Sequence, residues 1–301
     1  MQLRDRNLQL RAAIVSSIRS FFASQGFLEV ETPQRIPANA PEEFIEPFDS
    51  RDWYLHTSPE MCMKRLLCRG HERIFQLSHC WRRDERGSRH LPEFTMLEWY
   101  RSSSDYLQLM KDCENLLRWV AETRGTTDGV SYQGQRLDPC GDVERITVKN
   151  AFARFASKEV TTAVSDGSFD EIMVTRIEPA LPHAKPVILM DYPAEMAALA
   201  RLNSGDPSVA ERFELYWGGL ELANGFSELN DPQEQRQRFE LANRKRKEAG
   251  CPPLPLPEPF LRELADMPAS AGIAFGVDRL VMLFADAAKI DDVIAFTPEE
   301  L

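Results

Sequence analysis

Leu10, Ile14, Val15, Ile18, Phe21 and Phe22 recur at helical spacing, so one apolar stripe runs along a helix near the start of the chain. Gly26 follows it where a left-handed C-terminal cap belongs. A second helix is expected over about 59–67, with Pro59 in its first turn. A third is expected over about 105–122, its apolar side carrying Tyr106, Leu109, Met110, Cys113, Leu116, Leu117 and Val120. Residues 53–56, 74–77 and 94–100 read as strands. Residues 213–217, a Gly218-Gly219 turn and residues 220–229 read as a hairpin. The segment 232–249 is polar and helical. Residues 124–145, rich in Gly, Asp and Thr, read as a surface connection, and 251–259, with five prolines, as a polyproline connector. Hairpin-joined strands flanked by helices predict an α+β fold around an antiparallel sheet. Neither irregular stretch demands a boundary, so one catalytic-sized unit over 1–301 is expected.

Composition narrows the class. The 301 residues carry 36 Lys+Arg against 47 Asp+Glu, a formal charge of −11. That balance argues against a general nucleic-acid coat or a polybasic membrane binder, while leaving room for local basic patches. The six cysteines form no CxxC pair, and no apolar run reaches membrane-helix length. A soluble cytoplasmic protein with reduced thiols is expected.

Candidate chemistry gathers in three places. Arg82, Arg83, Arg86, Arg89 and His90 crowd one loop between two strands; arginine forks suit phosphate oxygens, and a solvated hairpin tip is the plain alternative. Along the next strand Phe94, Met96, Glu98 and Tyr100 share a face, where an aromatic can stack on a base and the acid with the phenol can hold a cation. The alternative is a hydrated sheet face. In the later hairpin Asn224, Phe226 and Glu228 alternate onto one side, with Glu221 at the start and Glu214 on the other arm. Glu214 and Glu221 could share a divalent cation, or guard a strand edge. Finally, Arg279 stands in the first turn of an apolar helix, where a cation opposes the dipole unless an anion arrives or Asp278 pairs with it.

These segments resemble the three signature motifs of class II aminoacyl-tRNA synthetases in their lysyl form. GFLEVETP (26–33) resembles the dimer-building first motif, the run 75–100 the second and GIAFGVDR (272–279) the third. TSPEMCMKRLL (57–67) and ELANGFSEL (221–229) resemble the lysine-pocket segments. The first motif falls within the first 35 residues, leaving no room for an anticodon-binding barrel, and Ala274 replaces a usual glycine. In both respects the chain is similar to the short lysyl-tRNA synthetase paralogues that attach lysine, preferably (R)-β-lysine, to a lysine side chain of elongation factor P.

The resemblance implies an ATP- and Mg²⁺-dependent homodimer. It implies Arg82 and Arg279 as catalytic cations on the α- and γ-phosphates, His90 on the triphosphate tail, and Phe94 against adenine. Glu214 and Glu221 would hold Mg²⁺, Glu221 meeting ATP as well. Ser58, Glu60, Glu98, Tyr100, Asn224, Phe226, Glu228 and Ala274 would form the amino-acid pocket. Asp84 stands where the second motif usually has Glu, with Glu85 beside it. A dicationic amino acid needs several carboxylates in a dry site, and its own carboxylate attacks phosphorus without a general base. A short synthetase that charges tRNA or another amine is one alternative; the absent anticodon module, Ala274 and the acidic charge weigh against tRNA. A silent amino-acid-sensing regulator is the other, and it predicts losses among Arg82, Glu221, Glu228 and Arg279, all of which are present.

Overall fold

Stacked aromatic rings join the first helix to the sheet in the computed structural model, which describes residues 3–301. Helix α1 (Leu3–Ser24) buries Ile14, Ile18, Phe21 and Phe22, and the Phe22 ring lies flat on Phe75 with centroids 4.8 Å apart. Gly26 ends α1 at φ +73°, and the Phe27 amide returns to the Phe22 carbonyl at 3.0 Å. That is the left-handed closure glycine permits. The remaining long elements are α2 (Glu60–Cys68), α3 (Tyr106–Arg124), α4 (Pro232–Glu248), α5 (Glu258–Glu263) and α6 (Val277–Ala285). Asp105 caps α3 by accepting from the amides of Leu107 and Gln108, and Asp231 caps α4 in the same way.

Eight strands form the main sheet: β1 (Leu28–Glu29), β2 (Arg73–Trp81), β3 (Glu93–Ser102), β4 (Glu144–Thr147), β5 (Val187–Pro193), β6 (Val209–Trp217), β7 (Leu220–Ser227) and β8 (Ser270–Gly276). Their spatial order is β1-β2-β3-β8-β7-β6-β5-β4. The six central strands are antiparallel, as expected, but β1 on β2 and β4 on β5 are parallel. The sheet is therefore mixed at both edges. A parallel pair needs a long crossover, and residues 148–186 supply one between β4 and β5 as short helical turns around Phe152, Phe169 and Ile177.

On one face of the sheet α1, α3 and α6 close over Leu97, Trp99, Phe213, Ile273 and Phe275. On the other, α2, α4 and α5 cover Ile74 and Tyr100 at one end and leave the middle open. No described helix is long and apolar enough to cross a membrane. The connection at 124–145 is more structured than its composition implies: Val130–Tyr132 and Gln135–Leu137 pair, and Val130, Tyr132 and Leu137 join the main core. Their apolar side chains outweigh the turn residues around them.

One buried cluster holds β3 to α3. Asp112 accepts from Trp99 Nε1 at 3.2 Å and from Arg101 Nε and Nη2 at 2.6 and 2.9 Å. Removing the carboxylate strands a buried indole N–H and a guanidinium. Asp112→Ala is expected to lower the unfolding free energy by about 3–5 kcal/mol. Urea unfolding followed by tryptophan fluorescence checks this, and a loss below about 1 kcal/mol would contradict the role assigned to the cluster.

Candidate active site

Residues opposite one another in adjacent strands share a face, so the register builds the site row by row. One row runs Gln76, Glu98, Ala274, Asn224, Glu214; the next runs Ile74, Tyr100, Gly272, Phe226, Arg212. Strict alternation along β7 would put Glu221 on the opposite face from Asn224. A bulge corrects this: Tyr216 pairs with Glu221 and Leu215 with Ala223, so Leu222 is skipped and Glu221 turns back to the open face. Leu222 and Ala223 then both enter the core. The result is a cavity of about 450 Å³ over β3, β8 and β7.

One end of the cavity is acidic. Glu98, 1% exposed, accepts from Tyr100 OH at 2.8 Å and from Ser58 Oγ. Ser58 in turn takes the Glu60 amide at 3.0 Å, which ties the start of α2 to β3. Burial and the nearby Glu60 charge push the Glu98 carboxyl up to about 8. Glu228, just beyond β7, lies beneath this wall rather than in it. Burial pushes it up to about 8 as well, against the pull of Lys64. Gly272 sits where any Cβ would strike the Tyr100 ring and the Glu228 carboxylate. Here the lack of a side chain is a steric requirement.

The other end is cationic. Arg82 lies over the Phe94 ring at 5.2 Å and reaches Glu85 at 3.3 Å. Arg279 Nη1 donates to the Glu221 carbonyl at 2.7 Å and meets its carboxylate at 3.4 Å. Arg279 Nη2 stands 2.7 Å from His90 Nε2, and since a guanidinium only donates, His90 accepts there. Burial and the Arg279 charge lower the His90 pKa, consistent with a neutral ring. Asp278 does not pair with Arg279: it accepts from Arg11 and from the Thr95 amide at 2.7 Å. The first-turn arginine is thus left to face the cavity.

A family model described as tRNA synthetases class II (D, K and N) matches residues 2–300. The chain belongs to the class II tRNA synthetases. Within this family it is 43% identical to the elongation factor P–(R)-beta-lysine ligase of Erwinia tasmaniensis, over 97% of this chain and 94% of the relative. It is 42% identical to the protein of that name from Pectobacterium carotovorum subsp. carotovorum, over 97% and 95%. The Salmonella gallinarum protein of that name is 41% identical, over 97% and 94%.

Against this class II frame the structure brings together Ser58, Glu60, Arg82, His90, Phe94, Glu98, Tyr100, Glu221, Asn224, Phe226, Ala274 and Arg279 around one cavity. Asp84 is a correction: it is exposed and lies off the cavity, while Glu85, one residue on, lines it and meets Arg82. Glu214 also stands back from the wall. Its Oε1 accepts from Arg212 at 2.7 Å and its Oε2 from Tyr192 and Tyr216 at 2.6 and 2.7 Å. Of the crowded basic loop, Arg83 pairs with Asp49, and Arg86 with both Asp291 and Glu299, so these two serve structure.

Three participants carried no signal in the sequence pattern: Lys64, Arg212 and Glu42. Lys64, 0% exposed, joins Glu60 and Glu228. Arg212 lines the cavity, alongside Arg89 of the basic loop, as does Glu42, which enclosure pushes up to about 7 despite Arg82. Glu42 is placed by Arg246. Arg246, which the basic run 244–247 presents as a solvated helix face or a docking patch, is buried. It donates to the carbonyls of Glu42 and Ile45 at 3.0 Å each, to that of Pro252 at 3.1 Å and to Glu46 at 2.6 Å.

Glu98 supplies a test independent of any ligand. Its carboxyl, raised from 4.5 to about 8, keeps its proton in the folded state where the unfolded chain has lost it. The native state therefore binds more protons between those values, and stability falls as pH rises from about 5 to 8. Glu98→Gln removes this contribution, so its melting temperature is expected to decline less over that range than the wild type's. Parallel melting curves would show that Glu98 is not held protonated.

Proposed function

We propose that the protein uses ATP to activate (R)-β-lysine or lysine and transfers the aminoacyl group to a lysine side chain of elongation factor P. The observation that carries this reading is one cavity with carboxylates at one end and arginines at the other, on adjacent rows of one sheet. The printed names of relatives at 41–43% identity over 97% of the chain support the choice of substrates. The reading takes the enzyme as a cytoplasmic homodimer, in keeping with edge strand β1, whose Leu28 is exposed. It gives tRNA no part.

In this scheme Glu60, Glu98 and Tyr100 hold the ammonium groups of the amino acid, with Phe226 and Ala274 shaping the space between them. Phe94 stacks on adenine, and Arg82, His90 and Arg279 hold the triphosphate. The amino-acid carboxylate oxygen attacks the α-phosphorus, and pyrophosphate leaves. Negative charge grows on the phosphorus-bound oxygens, and a preplaced donor such as Arg82 is worth about 3 kcal/mol there. The acceptor amine then attacks the activated carbonyl, forms the amide, loses a proton and expels AMP.

The acid at the cavity wall that supports Mg²⁺ binding is Glu221. Enclosure and the Glu214 charge push Glu221 up to about 7, an excess of negative charge on hard oxygens that a divalent cation relieves. Glu221, with Glu214 behind it, would hold the ion, which neutralises phosphate oxygens when bound. Among the described residues no three acid, histidine or cysteine groups converge, so such a site would need phosphate oxygens to complete it.

Incubation with ATP, Mg²⁺, and lysine or (R)-β-lysine tests the proposal against two acceptors. Intact mass should show aminoacylated elongation factor P, and pyrophosphate release should depend on the amino acid. Charged tRNA with unmodified factor, or no activation by any amino acid, would overturn it. Gly272→Ala tests the pocket itself, since the added methyl meets Tyr100 and Glu228. The KM for lysine is expected to rise about tenfold or more while the KM for ATP stays within about twofold. An equal rise in both would mean that the acidic end is not the amino-acid end.

A further inference from the structure

We propose that Lys64 is the internal counter-ion that sets the charge of the acidic end at two, matching it to a ligand with two ammonium groups. This rests on the lysine-activating reading above. Lys64 Nζ lies 2.6 Å from Glu60 Oε1, one turn back on α2, and 2.5 Å from Glu228 Oε2 beyond β7. It also stands 5.2 Å from the Phe226 ring centroid. Its side chain is 0% exposed and it is absent from the cavity lining, so it acts through the carboxylates rather than by touching ligand. Lys64 is a positioning residue.

The charge count is short. Glu60, Glu98 and Glu228 contribute three negative charges when ionised, and Lys64 returns one. Of the other charged groups nearby, Glu214 is paired with Arg212, and Glu42 feels the charge of Arg82, which itself reaches Glu85. On the outer side of α2, Glu263 faces Arg65 and Arg69. Neither Glu228 oxygen accepts a well-directed hydrogen bond among the described residues, so its ionised form depends on the ammonium beside it. Burial pulls the Lys64 pKa down, but Glu228 and Glu60 outweigh it and raise it above the ordinary lysine value. Without that ammonium, Glu98 and Glu228 would hold their protons to still higher pH, and an incoming diamino acid would have to displace them. With it, the cluster reaches a net negative charge of two once Glu98 and Glu228 ionise, near pH 8.

The test is the KM for lysine in ATP–pyrophosphate exchange, measured from pH 6.5 to 9.5. In the wild type it should fall as pH rises toward about 8, where Glu98 and Glu228 ionise. Lys64→Met keeps the length and apolar stem. Its profile should move up by about one pH unit, a KM about tenfold higher at pH 7 that converges on the wild type by pH 9.5, with the KM for ATP unchanged. A KM raised by one factor at every pH, or not at all, overturns the proposal in favour of a packing role. Should Lys64→Met fail to fold, Lys64→Arg decides: retained charge should keep the wild-type midpoint even if KM rises throughout, and an upward-shifted midpoint overturns the proposal. A wild type that binds ATP but shows no lysine-dependent exchange would refute the activation reading itself, an outcome distinct from a failed Lys64 profile.

Discussion

The ammonium of Lys64 between Glu60 and Glu228 is the interaction on which the acidic end depends. Three carboxylates on α2, β3 and the end of β7 could not share so dry a space unaided, because each buried charge forfeits several kcal/mol of hydration. Burial, with the neighbouring acids, lifts Glu98 and Glu228 to about 8, and one fixed cation opposes that rise. The same contact joins α2 to the strand end. The helix that carries Ser58 and Glu60 to the cavity is therefore docked by the charge it helps to balance.

Sheet register converts that local balance into a site. Placing Glu98, Ala274 and Asn224 in one row and Tyr100, Gly272 and Phe226 in the next requires β8 to lie between β3 and β7, although it comes last in the chain. Gly272 then has to be glycine, because its neighbours on both strands are large and face the same way. The bulge at Leu222 has a comparable effect at the other end. It turns Glu221 onto the face of Asn224 and lets two consecutive apolar side chains fill the core. A mixed outcome of catalysis and packing is obtained from one skipped residue.

What the sequence makes legible follows from periodicity. The period-two face of Phe94, Met96, Glu98 and Tyr100, the stripe of α1 and the apolar side of α3 all appear in the structure as read. What escapes is whatever depends on long-range partners. An i,i+4 Glu–Lys pair on a helix is ordinarily a solvent-facing pair, so nothing local marks Lys64 as buried; that is decided by Glu228, far along the chain. Arg246 is likewise hidden by its context, a polar helix whose run of cations invites a solvated reading, until the loop at 42–46 and the connector at 252 close on it. Residues 187–190 are apolar on both faces and carry no alternation to mark them as a strand. Asp84 and Glu85 differ by a single loop position, which only backbone geometry resolves.

The cationic end follows a different logic from the acidic one. A first-turn arginine opposes its own helix dipole, and Asp278 beside it is the obvious partner. The fold commits Asp278 elsewhere, to Arg11 of α1 and the Thr95 amide of β3. That commitment pins α6 to both neighbours and leaves Arg279 with partial partners, a carbonyl, an imidazole nitrogen and a distant carboxylate. An under-satisfied cation at a helix N-terminus is a place where an anion gains from charge and dipole together. An internal ammonium offsets part of the acidic end, while the cationic end keeps an under-satisfied arginine. Under the proposed function the two ends differ in what they would bind: two positive groups in one case, a polyanion in the other. A net charge of −11 spread over the chain conceals this division, because the positive charge that matters is concentrated at one end of a single cavity.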